Sequence, residues 1–254
     1  MIYFWDKYWL YMLSKALIKH INALKIKKYR LKYNEFIAEG PKIVKELIDN
    51  NITVKQVFYS EKNKNLFEQY KFAHLVESDE LKKISHLSAN DYQVLAICEI
   101  PNSSNYEIKH NKWYVVLDNI QDPGNMGTII RTADWFGIDT VFVSLDCVDV
   151  FNSKTIQATM ASIARVKVIE VDIATLLQTN KNIPAYGAFI DSTNLYQTKK
   201  VPGFLIIGNE GNGIKEINKQ FITHEISIPR IGKTESLNAA ISAGIILAWA
   251  CVEH

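Results

Sequence analysis

Residues 118–137, DNIQDPGNMGTIIRTADWFG, carry the chain out of an apolar run, through a turn and into a helix. Pro123 stiffens the turn, Gly124 and Gly127 permit tight backbone, and Asn125 offers a donor and acceptors where the helix begins. Ile129, Ile130, Ala133, Trp135 and Phe136 then read as a buried helix, yet Arg131 stands among them. A guanidinium is charged at any ordinary pH, so hiding one among apolar side chains is costly unless an acceptor meets it. The stretch therefore predicts an anion or another acceptor at Arg131.

Working outward, WYVVLDNI just upstream is the first of several apolar runs, followed by TVFVSL, VKVIEV, AYGAFI, FLIIG and EISIP. Uninterrupted β-branched runs fit strands covered on both faces, and the helical segments between them fit βαβ units around a parallel sheet. The final helix, LNAAISAGIILAWACVE, is apolar nearly all round, so it must be buried within its domain or against a second subunit.

In an open parallel sheet the loops after the strand C-termini gather along one edge, where ligands bind. Three such loops are rich in glycine, asparagine and acid: DNIQDPGNMG, GNEGNG and PRIGKTESLN. Gly208, Gly211 and Gly213 let backbone approach a flat ligand closely, and Glu210 puts a carboxylate at the rim. Ser236 and Asn238 stand where a helix begins, and Thr234 or Ser236 also fits a plain helix cap. DPGNMG does not fill the G-x-G-x-x-G pattern of a dinucleotide site. The Gly232–Thr234 GKT lacks the glycine of a P-loop, since Ser227 occupies that place.

Together and in this order, the three segments resemble the three motifs of the SpoU (TrmH) family of RNA ribose 2'-O-methyltransferases, in the SPOUT superfamily. The N-x-x-x-x-x-R spacing of Asn125 to Arg131, the G-x-E-G-x-G of Gly208 to Gly213 and the S-L-N of Ser236 to Asn238 occur in register. The resemblance covers residues 113–252, and YNEFIAEGPKIVKELI is similar to the family's N-terminal substrate-binding domain. It implies an α/β fold: a C-terminal parallel-sheet domain with a trefoil knot, and a small N-terminal α/β domain. It implies S-adenosylmethionine held by backbone at positions matching Gly208, Ile228 and Leu237, and a homodimer formed through the knotted domain.

The catalytic pocket implied by the resemblance contains Arg131, Asn125, Glu210, Ser236 and Asn238, with Asn125 and Asn238 orienting substrate and Glu210 fixing Arg131 or the ribose. A ribose 2'-hydroxyl is a poor nucleophile, so methyl transfer needs in-line positioning and help in removing the proton. Arg131 fits two roles, an activating base or a phosphate anchor, and the sequence leaves both open. Arg230, after Ile228-Pro229, departs from the apolar residue usual there and adds positive charge at the cofactor and RNA edge. The implied substrate is structured RNA, ribosomal RNA ahead of transfer RNA, because a separate N-terminal domain is typical of the ribosomal members. A non-catalytic RNA-binding or ribosome-assembly protein is the rival from another class, and the complete residue set speaks against it.

The expected organisation is an extension over 1–13, an RNA substrate-binding domain over 14–98, a linker over 99–112 and the methyltransferase domain over 113–254. The chain of 254 residues carries a net charge of only +2, which does not identify a nucleic-acid binder, but the distribution is uneven. From Lys7 to Lys32 there are eight Lys or Arg residues and no acid. Lys27, Lys28 and Arg30, close to Tyr29 and Tyr33, suit phosphate contact with stacking, although a solvated helix face fits the same run. Cys98, Cys147 and Cys251 lie far apart in apolar surroundings, which points away from disulfides or a metal cluster and towards a reducing cytoplasm. No metal and no membrane span are expected, because the histidines lack ligand spacing and the aromatic N-terminus is broken by Asp6 and Lys7.

Overall fold

The computed structural model describes residues 11–86, 93–102 and 105–252. Most of the expected extension, and the Ser103-Ser104 pair of the expected linker, lie outside the described residues. Two compact units are present: one runs to Pro101 and includes Phe151–Ser153, the other holds Asn102–Val150 and continues from Lys154.

In the first unit, helix α1 (Lys15–Ala23) starts at Ser14, whose hydroxyl accepts from the Leu17 amide at 3.2 Å. Helix α2 (Lys27–Tyr33) stops at Asn34, which takes the left-handed conformation at φ 55°. Strand β1 (Glu35–Glu39), helix α3 (Pro41–Asp49), strand β2 (Val54–Tyr59), helix α4 (Lys64–Phe67), strand β3 (Ala73–Leu75), helix α5 (Ser78–Ile84) and strand β4 (Val94–Glu99) follow. The sheet order is β1-β4-β2-β3, antiparallel except for β2 with β3.

Ile21, Leu24, Ile37, Phe58, Leu81 and Ile97 fill the core of this unit, each contributing ~1.5–3 kcal/mol by leaving water. Leu13 is buried in this same core. The cap position of α5 is Glu77, without a side-chain bond, and Ser78 lies in the first turn.

The second unit contains strand β5 (Tyr114–Leu117), helix α6 (Pro123–Trp135), strand β6 (Thr140–Ser144), helix α7 (Ser153–Thr159), strand β7 (Lys167–Val171) and helix α8 (Ile173–Thr179). Strands β8 (Ala185–Phe189), β9 (Thr193–Asn194) and β10 (Phe204–Ile207), helix α9 (Glu216–Lys219), strand β11 (His224–Ser227) and helix α10 (Ala239–Cys251) complete it. Its sheet, ordered β7-β6-β5-β10-β8-β11-β9, is parallel throughout. Tyr114, Phe142 and Phe204 from adjacent strands pack ring on ring with centroids 5.6 to 6.3 Å apart, filling one face of the sheet.

Parallel pairing sets every strand C-terminus on one edge, so the loops after β5, β10 and β11 converge there. Helix α6 packs so tightly on α7 that a Cβ at Gly127 would run into Ala158 and the Thr155 carbonyl. Gly127 therefore serves helix packing and not the turn expected of it. Among the described residues no helix is long and apolar enough to cross a membrane.

Candidate active site

Asp122 caps α6 by accepting from the Asn125 amide at 2.7 Å, with Pro123 in the first turn, so Asn125 is presented at the sheet edge. Its side chain reaches both other loops. Asn125 Nδ2 donates to Glu210 Oε1, and Asn125 Oδ1 accepts from Asn238 Nδ2 at 2.9 Å. Asn238 in turn caps α10, its Oδ1 accepting from the Ala240 and Ile241 amides at 2.9 and 3.3 Å. A directed chain of hydrogen bonds thus runs from the α10 N-terminus through Asn238 and Asn125 to the Glu210 carboxylate. Each donor in such a chain polarises the next.

A second network beneath it involves residues the sequence reading did not single out. Asp118, fully buried at the end of β5, accepts through Oδ2 from the Lys215 amide and from Asn218 Nδ2, both at 2.8 Å. Its Oδ1 has no hydrogen-bond partner among the described residues. Asn209 donates to the Asn119 carbonyl at 2.9 Å, and its Oδ1 accepts from the Gly211 and Asn212 amides at 2.9 and 3.1 Å. These bonds tie the β10 loop to the β5 loop. Lys215 pairs with Asp146 at 2.5 Å on the same side. Burial pushes the Asp146 carboxyl up, but bonds from Lys215 and Ser144 outweigh it and hold the group below the usual carboxylate range.

The loops enclose a cavity of about 570 Å³ within this unit, walled on its inner side by Leu195, Ile207, Ile226 and Ile246. Gly208, Ile228 and Leu237 line it, as do Glu210 and Ser236. At Gly208 the chain doubles back so closely that a Cβ would strike the backbone of Gly213 and Ile214. Asn125 and Asn238 stand outside the lining and are joined to it through Glu210.

Arg131 is exposed, as is Trp135, at 85%, so the buried guanidinium expected from the apolar neighbours is not what the fold produces. The apolar residues Ile129, Ile130 and Ala133 take the inner face of α6, which leaves the outer face for Arg131 and Trp135. Arg131 lies six residues beyond Asn125, on another face of a helix of ~3.6 residues per turn, and does not line the cavity. Glu210 bonds Asn125, not Arg131. Neither Thr234 nor Ser236 caps α10, because Asn238 does so.

In the first unit, Lys27 and Lys28 are exposed on α2, with Tyr29 and Tyr33 stacked at 6.3 Å and the Lys32 ammonium 5.3 Å from the Tyr33 ring centre. Arg30 departs from expectation. It is 3% exposed and donates to the Leu24 carbonyl at 2.7 Å, so it joins α2 to the end of α1 instead of standing on the exposed face. Cys98, Cys147 and Cys251 are free thiols, and burial pushes all three up.

Comparison with known proteins adds a second line of observation. Residues 112–248 match the model of the SpoU rRNA Methylase family, and residues 15–96 match that of the MRM3-like substrate binding domain. The 23S rRNA (guanosine(2553)-2'-O)-methyltransferase RlmP of Bacillus subtilis is 27% identical over 238 residues, 91% of this chain and 94% of that protein. A TrmH-family structure from Porphyromonas gingivalis superposes with a TM-score of 0.83 at 34% identity, covering 94% of this chain and 99% of that one. The AdoMet-bound rRNA methyltransferase of Sinorhizobium meliloti gives 0.83 at 26% identity, with 96% of each chain covered.

Proposed function

The chain belongs to the SpoU rRNA methylase family, and on that premise we propose that it transfers the methyl group of S-adenosylmethionine to a ribose 2'-hydroxyl of ribosomal RNA. The hydrogen-bond relay from α10 through Asn238 and Asn125 to Glu210, ending on a cavity of cofactor size, is the observation that carries the reading. A volume of about 570 Å³ lies within the ~300–1,000 Å³ usual for small-molecule sites, and the apolar inner wall suits an adenine. Gly208, Ile228 and Leu237, which line the cavity, would hold the cofactor through their backbone groups, and the tight fold at Gly208, where a Cβ would strike Gly213 and Ile214, fixes the course of that loop.

When bound, S-adenosylmethionine supplies an electrophilic methyl group on a sulfonium. The chain's own residues orient the nucleophile. Asn125 and Asn238 fix the direction of the Glu210 carboxylate, so a ribose hydroxyl at the rim meets a preorganised acceptor, with Ser236 on the opposite loop. Arg131 takes a phosphate of the RNA and aligns the nucleotide. Of its two candidate roles we favour this anchor, which needs only charge and reach, and an exposed guanidinium has both. Lys27 and Lys28 on α2 bind the RNA backbone further out.

The proposal includes the domain boundaries expected at 14–98, 99–112 and 113–254, and a knotted methyltransferase domain. It also includes a homodimer: Trp135 on α6 and Ile241 on α10, 85% and 56% exposed, are apolar groups on two helices that pack together, and a second copy would cover them. Free thiols fit the reducing cytoplasm, where we place the protein.

The test is methyl transfer from labelled S-adenosylmethionine to unmodified ribosomal RNA and, separately, transfer RNA, with Arg131→Ala alongside. Label on a ribose of ribosomal RNA, absent with the variant, is the expected result. Cofactor binding without label on either RNA or on ribosomal precursor particles would move the protein to the assembly-factor class.

A further inference from the structure

Five charged side chains line the cavity: Asp191, Glu210, Lys219, Arg230 and Glu235. Glu210 is engaged by Asn125, and Lys219 pairs with Glu216 at 2.8 Å. Arg230 and Asp191 pair with each other, guanidinium to carboxylate at 3.2 Å. Their placement follows from strand register. Strands β8 and β11 are parallel neighbours with Phe189 opposite Ser227, and the two loops that leave these residues carry Asp191 and Arg230 to adjoining points on the rim. Both side chains are open to solvent, at 82% and 43% exposure, and a pair this open contributes little to folding. It is therefore at liberty to meet a ligand without cost to the fold.

We propose that the Arg230–Asp191 pair is a receptor for an amino-acid zwitterion, and that it selects the methionyl end of the cofactor. The inference rests on the cofactor reading of the cavity. An adenosine in the apolar interior would leave its amino-acid end at the rim, where a cation and an anion stand side by side. An α-carboxylate and α-ammonium laid against them in reversed order make four alternating charges, the carboxylate on the Arg230 fork and the ammonium on Asp191. Such a dipole recognises a zwitterion and is indifferent to a nucleoside that lacks one.

The test is calorimetric titration of the full chain with S-adenosylhomocysteine, which keeps the amino-acid end, and with 5'-methylthioadenosine, which lacks it. Asp191→Ala and Arg230→Ala should each weaken S-adenosylhomocysteine by about tenfold and change methylthioadenosine by less than about twofold. The double variant Asp191→Arg, Arg230→Asp restores an ion pair but reverses the dipole, so it should lose the preference as well. Unchanged S-adenosylhomocysteine affinity, or equal weakening of both ligands, would overturn the receptor and leave the cofactor site standing. Binding of neither nucleoside by the unaltered chain would overturn the cofactor reading and the receptor with it.

Discussion

The two units carry their proposed contact surfaces in different ways. In the first, exposed lysines and stacked tyrosines stand together on α2, one short helix whose buried residue is Arg30, so the proposed RNA-facing patch is built from neighbours in sequence. In the second, Asn125, Glu210 and Asn238 come from loops 85 and 113 residues apart and meet only because a parallel sheet brings its loop ends to one edge. A charge patch is a sum of weak, replaceable terms. A hydrogen-bond relay fails at any single link, because the group left behind loses its orientation.

The sharpest way to break this comparison is Asn125→Ala. It removes the middle of the relay while leaving the cavity wall untouched, and loss of one preorganised donor costs ~10²–10³ in kcat. We expect that loss in single-turnover methyl transfer, with cofactor affinity unchanged; an equal loss of binding would mean that Asn125 shapes the cavity and not the chemistry. Gly208→Ala acts on the wall instead. Its Cβ would meet rigid backbone of Gly213 and Ile214, so the loop must shift, and cofactor affinity should fall by ~10–100-fold while far-UV circular dichroism stays native. Retained affinity would show that the loop yields at no cost.

How much of this was readable in advance follows the same division. The apolar runs of β5, β6, β7, β8, β10 and β11 announced the parallel sheet, because strands buried on both faces leave a continuous signature. Two-residue β9 leaves none, and neither does β4 announce that it is paired on both sides in the smaller sheet. Asn125, Glu210 and Asn238 were readable only as members of a motif set. The bonds among them, like those of Asp118 with Lys215 and Asn218, join positions roughly a hundred residues apart and have no local signal. Arg30 and Arg131 exchanged places for a related reason. Charge is visible in sequence, but which face of a helix meets the core depends on neighbours in space, and here Arg30 is buried while Arg131 is exposed.

The units should also differ in acid. His86 in the first unit bonds the Ile21 carbonyl at 2.8 Å, which requires a proton on Nε2, and burial lowers its pKa from 6.5 to about 4, with Lys25 and Arg30 adding repulsion. The folded pKa lies below the unfolded one, so the unfolded chain binds the extra proton as pH falls through 6.5, and stability declines until pH reaches about 4. Between pH 7 and pH 5 this single group costs the first unit at most about 2 kcal/mol. Urea unfolding at both pH values should show that loss, and His86→Gln should remove most of the difference. An unchanged pH dependence in the variant would assign the effect to other groups.

The smallest effect separates two kinds of basic residue within one helix. Lys27 and Lys28 are exposed, so replacing both by Ala should lower the slope of log affinity against log salt by up to ~2, at roughly 0.7–0.9 per lost phosphate contact, and cost less than about 1 kcal/mol of stability. Arg30→Ala should do the reverse. Its guanidinium is buried and donates to the Leu24 carbonyl, so truncation leaves that acceptor unpaired and costs ~1–3 kcal/mol of stability while the salt slope keeps its value. Filter binding over a range of salt, run beside thermal melts of the same samples, tells the two apart. A slope that falls with Arg30→Ala and not with the lysines would mean that α2 turns over when RNA arrives; the pattern predicted here would mean that the RNA meets the helix as it stands.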